Sequence, residues 1–178
     1  MPNWCQNTLT ITGNTETLVE LKSLVESDED GLLQAIKPMP EELQGTVSPS
    51  DGENWRSWAL ENWGTKWDVS TEGLEYIDNG DGTSTISGWF DSAWSPPLDA
   101  FESLASDWDS CYIELKYYES GMDFIGVWDS EGGDAYYEEI DECVRRGDHK
   151  EDTVMAELVE DFGIEENQDM WDEEEEIA

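Results

Sequence analysis

Basic side chains are scarce. The 178 residues hold eight Lys and Arg and one His against 45 Asp and Glu, a net charge of −37 at pH 7. A protein that holds nucleic acid displaces counterions with Lys and Arg, so this balance excludes direct nucleic-acid binding. Long apolar runs are missing as well. No stretch approaches the length of a membrane span, and an anionic surface is repelled by anionic lipid. The N-terminus Met1-Pro-Asn-Trp-Cys-Gln-Asn7 has neither a basic n-region nor an apolar h-region, so a soluble, unexported, cytoplasmic protein without membrane contact is expected. Cysteines number three, Cys5, Cys111 and Cys143, without CxxC spacing, and His149 stands alone. Neither a disulfide framework nor a zinc site follows, and a reducing compartment fits.

Aromatic residues, by contrast, are plentiful: ten Trp, six Tyr and four Phe. Acidic disordered chains are poor in such rings, and each buried ring removes about 150–250 Å² from water, so a folded core inside an acidic shell is expected. Alternation over Asn3 to Thr12 predicts a strand closed by Gly13-Asn14. Leu18, Leu21, Leu24 and Val25 recur at helical spacing over Thr15 to Glu26, with Thr15 as the cap. After a turn over Ser27 to Gly31, Leu32 to Ile36 is a short helical or extended piece, and Lys37 to Gly52 reads as a surface loop. Asn54 to Trp63 reads as a helix. Leu74 to Ile77 and Thr83 to Phe90 flank Asp78-Asn-Gly-Asp-Gly82, whose Asn-Gly and Asp-Gly steps predict a hairpin.

Ser95-Pro-Pro97 opens a helix that runs through Asp107, and Cys111 to Tyr118 pairs with Asp123 to Trp128 as a second hairpin. Ala135 to Ile140 is an expected edge strand and Thr153 to Phe162 an amphipathic helix. From Gly163 the chain is almost wholly acidic and is expected to be disordered. The order fits a β-α-β-β-α-β core: an α+β fold with an antiparallel sheet and helices on one face, plus an acidic C-terminal helical extension. The boundaries are residues 1–130 for that domain, 131–162 for a strand and helix extension, and 163–178 for the tail.

Catalytic and ligand motifs are tested against this background. Gly64-Thr-Lys66 lacks the GxxxxGK[ST] spacing of a phosphate loop. Neither Asp28-Glu-Asp-Gly31 nor Asp78-Asn-Gly-Asp-Gly82 continues as a calcium loop, and Ser120 is not in a G-x-S-x-G elbow. Paired carboxylates occur throughout, so they single out no glycosidase-like pair. No catalytic residue, cofactor or metal ligand is assigned. Trp63 and Trp67 read as core residues, with Lys66 paired to a carboxylate; a ligand pocket lined by Trp63, Trp67, Trp89 and Trp94 is the alternative. His149, between Asp148 and Lys150, reads as solvated.

Four motifs carry a resemblance. They are Met1-Pro-Asn-Trp-Cys-Gln-Asn7 with Leu9 and Gly13, Glu61-Asn-Trp-Gly-Thr-Lys-Trp-Asp68, Phe90-Asp-Ser-Ala-Trp-Ser-Pro-Pro97, and Tyr117-Tyr-Glu-Ser-Gly-Met-Asp-Phe-Ile-Gly126. In this order, over roughly residues 1–130, the chain resembles the YubB-like ferredoxin-like domain of plasmid and phage proteins. The resemblance implies a ferredoxin-like fold, a mobile-element origin and residence in a host bacterial cytoplasm. It implies no catalytic residues. The charge and the C-terminal portion depart from it, since residues 129–178 alone hold 21 acidic and 3 basic residues.

Acidity, absent catalytic motifs and that resemblance together point to a non-enzymatic accessory protein. It would bind and inhibit a basic host protein that handles nucleic acid, such as a component of a restriction-like anti-phage defence system. Electrostatic complementarity or DNA mimicry would supply the attraction. The candidate contact residues are Glu138, Glu139, Asp141, Glu142, Glu151, Asp152, Glu157, Glu160 and Asp161. Two alternatives stand beside it: a small-ligand domain or enzyme with a Trp-rich pocket, and a generic acidic domain of a halophile. An open sheet edge at Ala135 to Ile140 would also let a second copy pair as a homodimer.

Overall fold

A strand rich in alternating apolar residues organises the molecule. In β1 (Trp4–Asn14), Cys5, Asn7, Leu9 and Ile11 point inward while Trp4, Gln6 and Thr8 point outward. The computed structural model describes residues 3–27, 31–46, 54–108 and 110–166. Within them β1 lies inside a six-stranded antiparallel sheet of order β2-β3-β1-β4-β5-β6. The other strands are β2 (Leu74–Asp78), β3 (Thr83–Ala93), β4 (Tyr112–Glu119), β5 (Phe124–Asp129) and β6 (Ala135–Glu138). The helices are α1 (Thr15–Ser27), α2 (Leu32–Ile36), α3 (Trp55–Asn62), α4 (Leu98–Asp107), α5 (Ile140–Arg146) and α6 (Thr153–Asp161), with a 3-10 turn at Asp148–Glu151. The path β1-α1-β2-β3-α4-β4 with order β2-β3-β1-β4 is the ferredoxin-like arrangement, and the α+β expectation holds.

Local chemistry explains most boundaries. The β2–β3 turn falls on Asn79-Gly-Asp-Gly82, with Gly80 and Gly82 at φ 79 and 89, and the Asp78 and Asp81 carboxylates accept the amides of Gly80 and Thr83. Asn54 caps α3, accepting from the amides of Arg56 and Ser57, while Ser57 Oγ accepts from the Asn54 amide. At α1 the cap is Asn14, whose Oδ1 accepts from the Thr17 amide at 2.8 Å. The predicted cap, Thr15, instead accepts a hydrogen bond from Ser84 Oγ. α2 receives its N-terminal partner from far along the chain: Asp68 accepts the amides of Leu33 and Gln34 at 2.7 and 2.9 Å.

Among the described residues two main cores form on opposite faces of the sheet, beside a small cluster of Cys5, Tyr117 and Phe124. The larger packs α1 to α4 against one face through Leu9, Leu18, Leu33, Phe90, Phe101, Leu104 and Leu115. The smaller lies on the other face, where Ile125 of β5 meets Ile140, Val144, Leu158, Val159 and Ile164. β5 is therefore buried on both sides, with Phe124, Ile125 and Gly126 all covered. The C-terminal helices thus do more than extend the fold: they cover the second face of the sheet over β4 to β6.

Three expectations are corrected here. The edge strand ends at Glu138, because Glu139 adopts φ 58 and Ile140 begins α5, a helix whose short, charge-dense sequence hides its Ile140 and Val144 spacing. His149 is not solvated; it is 2% exposed, with Nε2 3.0 Å from Glu165 Oε1. The tail does not leave the body at Gly163, since Ile164 is buried and Glu165 also pairs with Lys150 at 2.8 Å. Residues 28–30 of the first predicted turn, 47–52 of the predicted loop and 167–178 of the tail lie outside the described residues. Among the described residues no helix is long and apolar enough to cross a membrane.

Candidate interaction face on the open half of the sheet

α5 and α6 cover only β4 to β6, so the same face remains open over β1, β2 and β3. Strand alternation places Gln6, Thr8, Thr10 and Thr12 of β1 there, with Thr85, Ser87, Trp89 and Asp91 of β3 and Ile77 of β2 beside them. Thr8 lies across from Trp89 on one side and Lys116 on the other. This floor carries large exposed apolar groups: Trp89 at 66%, Trp4 at 50% and Ile77 at 48%. Exposed rings grouped on one face mark an interaction surface more often than scattered ones do. Strand parity aims Trp89 outward, and beside it the backbone runs close, because a Cβ on Gly88 would sit 1.9 Å from the Gly73 carbonyl oxygen. Only glycine tolerates that contact.

The floor has an acidic wall. Lys116 Nζ meets Asp161 Oδ2 of α6 at 2.5 Å. Burial pulls the Lys116 ammonium down, but the Asp161 hydrogen bond and the charges of Asp161, Glu114 and Glu157 outweigh it and hold it above its ordinary value. Glu157 and Asp161, one helical turn apart, therefore border the open floor along β4.

At the end of the floor the Trp-rich motifs form a corner. Trp4, Trp67 and Trp94 lie in sequence, with ring centroids 6.2 and 5.9 Å apart. Lys66 Nζ sits 4.2 Å from the Trp67 ring and 5.1 Å from that of Trp94. The segment is pinned by Thr65, whose hydroxyl donates to the Ala93 carbonyl and accepts from the Ala93 amide, and by Ser95 Oγ, which donates to the Gly64 carbonyl. Asn7 Nδ2 ties β1 to the same corner through Ser92 Oγ at 2.9 Å. Of the two tryptophans expected in the core, only Trp63 is there; Trp67 is 37% exposed. Among the described residues Lys66 makes no ion pair with a carboxylate: its partners are rings. The four tryptophans of the alternative do not line one pocket, since Trp63 lies in the larger core and Trp89 is exposed on the opposite face. A cavity lies between α1, α2 and β2, and none of Trp63, Trp67, Trp89 or Trp94 lines it.

A family model described as the ferredoxin-like domain in Api92-like protein matches residues 62–159. The chain belongs to this family. The crystal structure of a protein api92 from Yersinia pseudotuberculosis aligns with a TM-score of 0.51 and 12% identity, covering 78% of this chain and 98% of that one. At that identity the likeness shows the fold alone. No curated protein matches the chain. In this Api92-like chain the matched span runs from the end of α3 into α6, so it takes in the corner loop, the Trp89 strand and Glu157 of the acidic wall.

The predicted contact carboxylates all lie in the strand, turn and helices after β5, but several have structural partners. Asp152 caps α6; the Met155 amide holds its carboxyl below the ordinary value, with the Tyr137 hydroxyl and the Val154 amide adding to it. Glu142 pairs with Arg145 at 2.7 Å and Arg146 at 3.6 Å. Glu138 accepts from the Tyr136 hydroxyl, and Glu139 and Asp141 stand beside Asp123 at the start of α5. Glu151, Glu157 and Glu160 are exposed. Only Glu157 and Asp161 are placed by their effect on Lys116 at the open floor. Trp89 and Trp4 are the site residues that composition did not single out as partner-binding. Their exposure depends on which strands the last helices cover, although the outward parity of Trp4 in β1 is readable. Among the described residues no group of three His, Cys, Asp or Glu forms a metal site.

Asp123 gives a direct test of this crowding. Partial burial raises its carboxyl, and the charges of Asp141 and Glu139 add to that, while the Asp141 and Ile140 amides oppose it. With a folded value above the unfolded one, its contribution to stability is present at low pH and is lost as pH rises through the raised value. Asp123→Asn keeps the Oδ1 acceptor for the Asp141 amide and suits the φ of 58. The variant is expected to melt about 2–4 °C higher at pH 7 and to match the parent at pH 3. Calorimetry at both pH values checks it, and an equal shift at both would remove the electrostatic cause.

Proposed function

We propose that this chain is a non-enzymatic plasmid or phage accessory protein that binds a basic, nucleic-acid-handling host protein of an anti-phage defence system and blocks it. The observation that carries this reading is the open half-face itself: an apolar centre at Trp89 and Trp4 bounded by the Glu157 and Asp161 wall of α6, on a chain of net charge −37. A buried aromatic anchor with a charged rim is the usual arrangement of a protein interface. The carboxylates accelerate encounter with a cationic surface and the rings hold it afterwards. Duplex DNA presents no comparable apolar centre, so this arrangement favours an acidic docking face over imitation of DNA. The YubB-like motifs at residues 61–68, 90–97 and 117–126 support the mobile-element context.

The test uses the tagged protein and its Trp89→Ala variant as paired baits in lysate from bacteria carrying defence systems, at low and high salt. One dominant basic DNA-handling or defence protein should be retained by the parent at low salt and released as salt rises. Purified, that protein should bind Trp89→Ala about 10–100-fold more weakly and lose its activity on DNA when the parent is added. A diffuse set of basic proteins held equally by both baits, or none, would refute the reading.

A further inference from the structure

We propose that the cavity between α1, α2 and the β2–β3 hairpin binds a small organic cation, an apolar body carrying one ammonium group. This site is separate from the open half-face and does not depend on the docking reading. The cavity holds about 330 Å³, within the range of small-molecule sites and, at the volume of liquid water, room for about ten non-hydrogen atoms. Its walls include Leu9, Leu21, Leu32, Ile86 and Leu104, all core residues. An apolar body placed there gains by leaving water.

The mouth is polar and of one dominant sign. Glu26 and Glu72 line it with a single cation, Lys22. Lys22 Nζ is already bound to Glu26 Oε1 at 2.8 Å, while among the described residues Glu72 forms no ion pair. One carboxylate is thus left to attract a ligand's charge and to repel an anionic one. Tyr76 offers the third element. Its ring lies 5.8 Å from the Lys22 ammonium, so an ammonium at this mouth already stands over an aromatic face. The ring is held in place because its hydroxyl hydrogen-bonds Ser84 Oγ at 2.9 Å, and Ser84 bonds in turn to Thr15. Apolar walls, an unpaired carboxylate and a fixed ring at one opening select a cationic amphiphile over a neutral or anionic one.

The experiment titrates the full chain, with isotope-labelled Ile and Leu methyl groups, with octylammonium, octanol and octanoate and follows the methyl resonances of Leu21, Ile86 and Leu104 by NMR. Octylammonium should shift them saturably and bind at least about fivefold more tightly than octanol, with octanoate weaker still. Glu72→Gln, at an exposed position, should erase that preference and leave octanol binding unchanged. Val25→Trp at the mouth should abolish binding of all three while the far-UV spectrum stays that of the parent. Should that variant misfold, the glutamine variant still decides the matter. Saturable shifts with none of the probes would overturn the site, and equal affinities for the three in the parent would overturn its selectivity.

Discussion

Trp63→Ala is expected to leave the protein largely unfolded at room temperature. Trp63 is 5% exposed, meets Trp58 edge to face at 5.5 Å, and donates its indole N–H to the Lys37 carbonyl at 2.9 Å. It also ends α3 as the C-cap residue. Emptying such a site costs about 3–5 kcal/mol through lost burial and the cavity left behind. Total stability for a domain of this kind is about 5–15 kcal/mol, and the self-repulsion of a −37 chain already draws on it. Trp63→Phe, which keeps a ring but strands the Lys37 carbonyl, is expected to cost about 1–3 kcal/mol. Urea unfolding followed by far-UV circular dichroism is the right measurement, because the other tryptophans would obscure a fluorescence signal. A Trp63→Ala protein with the parent's midpoint would show that the indole does not hold the core. Trp89→Ala, by contrast, should unfold at the parent's midpoint, since that ring is 66% exposed.

The second large effect concerns the last helix. Leu158→Ala is expected to cost about 2–5 kcal/mol, because Leu158 is 1% exposed within the small core of Ile125, Ile140, Val144, Val159 and Ile164. The damage should be uneven. β5, β6, α5 and α6 rest on that core, while β1 to β3 pack against the larger one on the opposite face. Hydrogen exchange read by mass spectrometry should therefore rise first at residues 124–166 and only later in β1. Val154→Ala, on the exposed side of the same helix at 39%, should change neither. Uniform loss of protection across both halves would mean that the two cores open as one unit.

The fold was legible in the sequence wherever a local period or a turn carried it. The alternation of Cys5, Asn7, Leu9 and Ile11, the Asn79-Gly80 turn and the Leu98, Phe101 and Leu104 stripe each correspond to an observed element. Misplaced details fall where a distant group decides the outcome. Asp68 caps α2 from 35 residues away. Glu119, acidic in sequence and buried in fact, is folded back onto the amides of Gly121 and Met122 at 2.8 and 2.7 Å. His149 sits in a charged run that reads as solvent-facing, yet the chain returns to bring Glu165 over it and Ile164 beneath the helices. Thr65, Ser92 and Ser95 stand in the motifs that carry the resemblance, but the bonds of Thr65 to the Ala93 carbonyl, of Ser92 to the Ser95 carbonyl and of Ser95 to the Gly64 carbonyl depend on the loop after α3 meeting the end of β3.

The amino-acid sequence by itself determined the antiparallel α+β core, the strand parities and the acidic character, because periodicity, turn chemistry and charge count are local or additive properties. Only the tertiary structure decided which half of the second sheet face is covered. Tyr118, Ile125 and Val127 share one parity with Trp4, Thr8 and Trp89, and nothing in that alternation distinguishes a residue under a helix from one left in water. The difference is made by where α5 and α6 come to rest. They settle over β4 to β6, where Ile125 and Val127 offer them an apolar bed, and leave the Thr and Ser floor around Trp89 open.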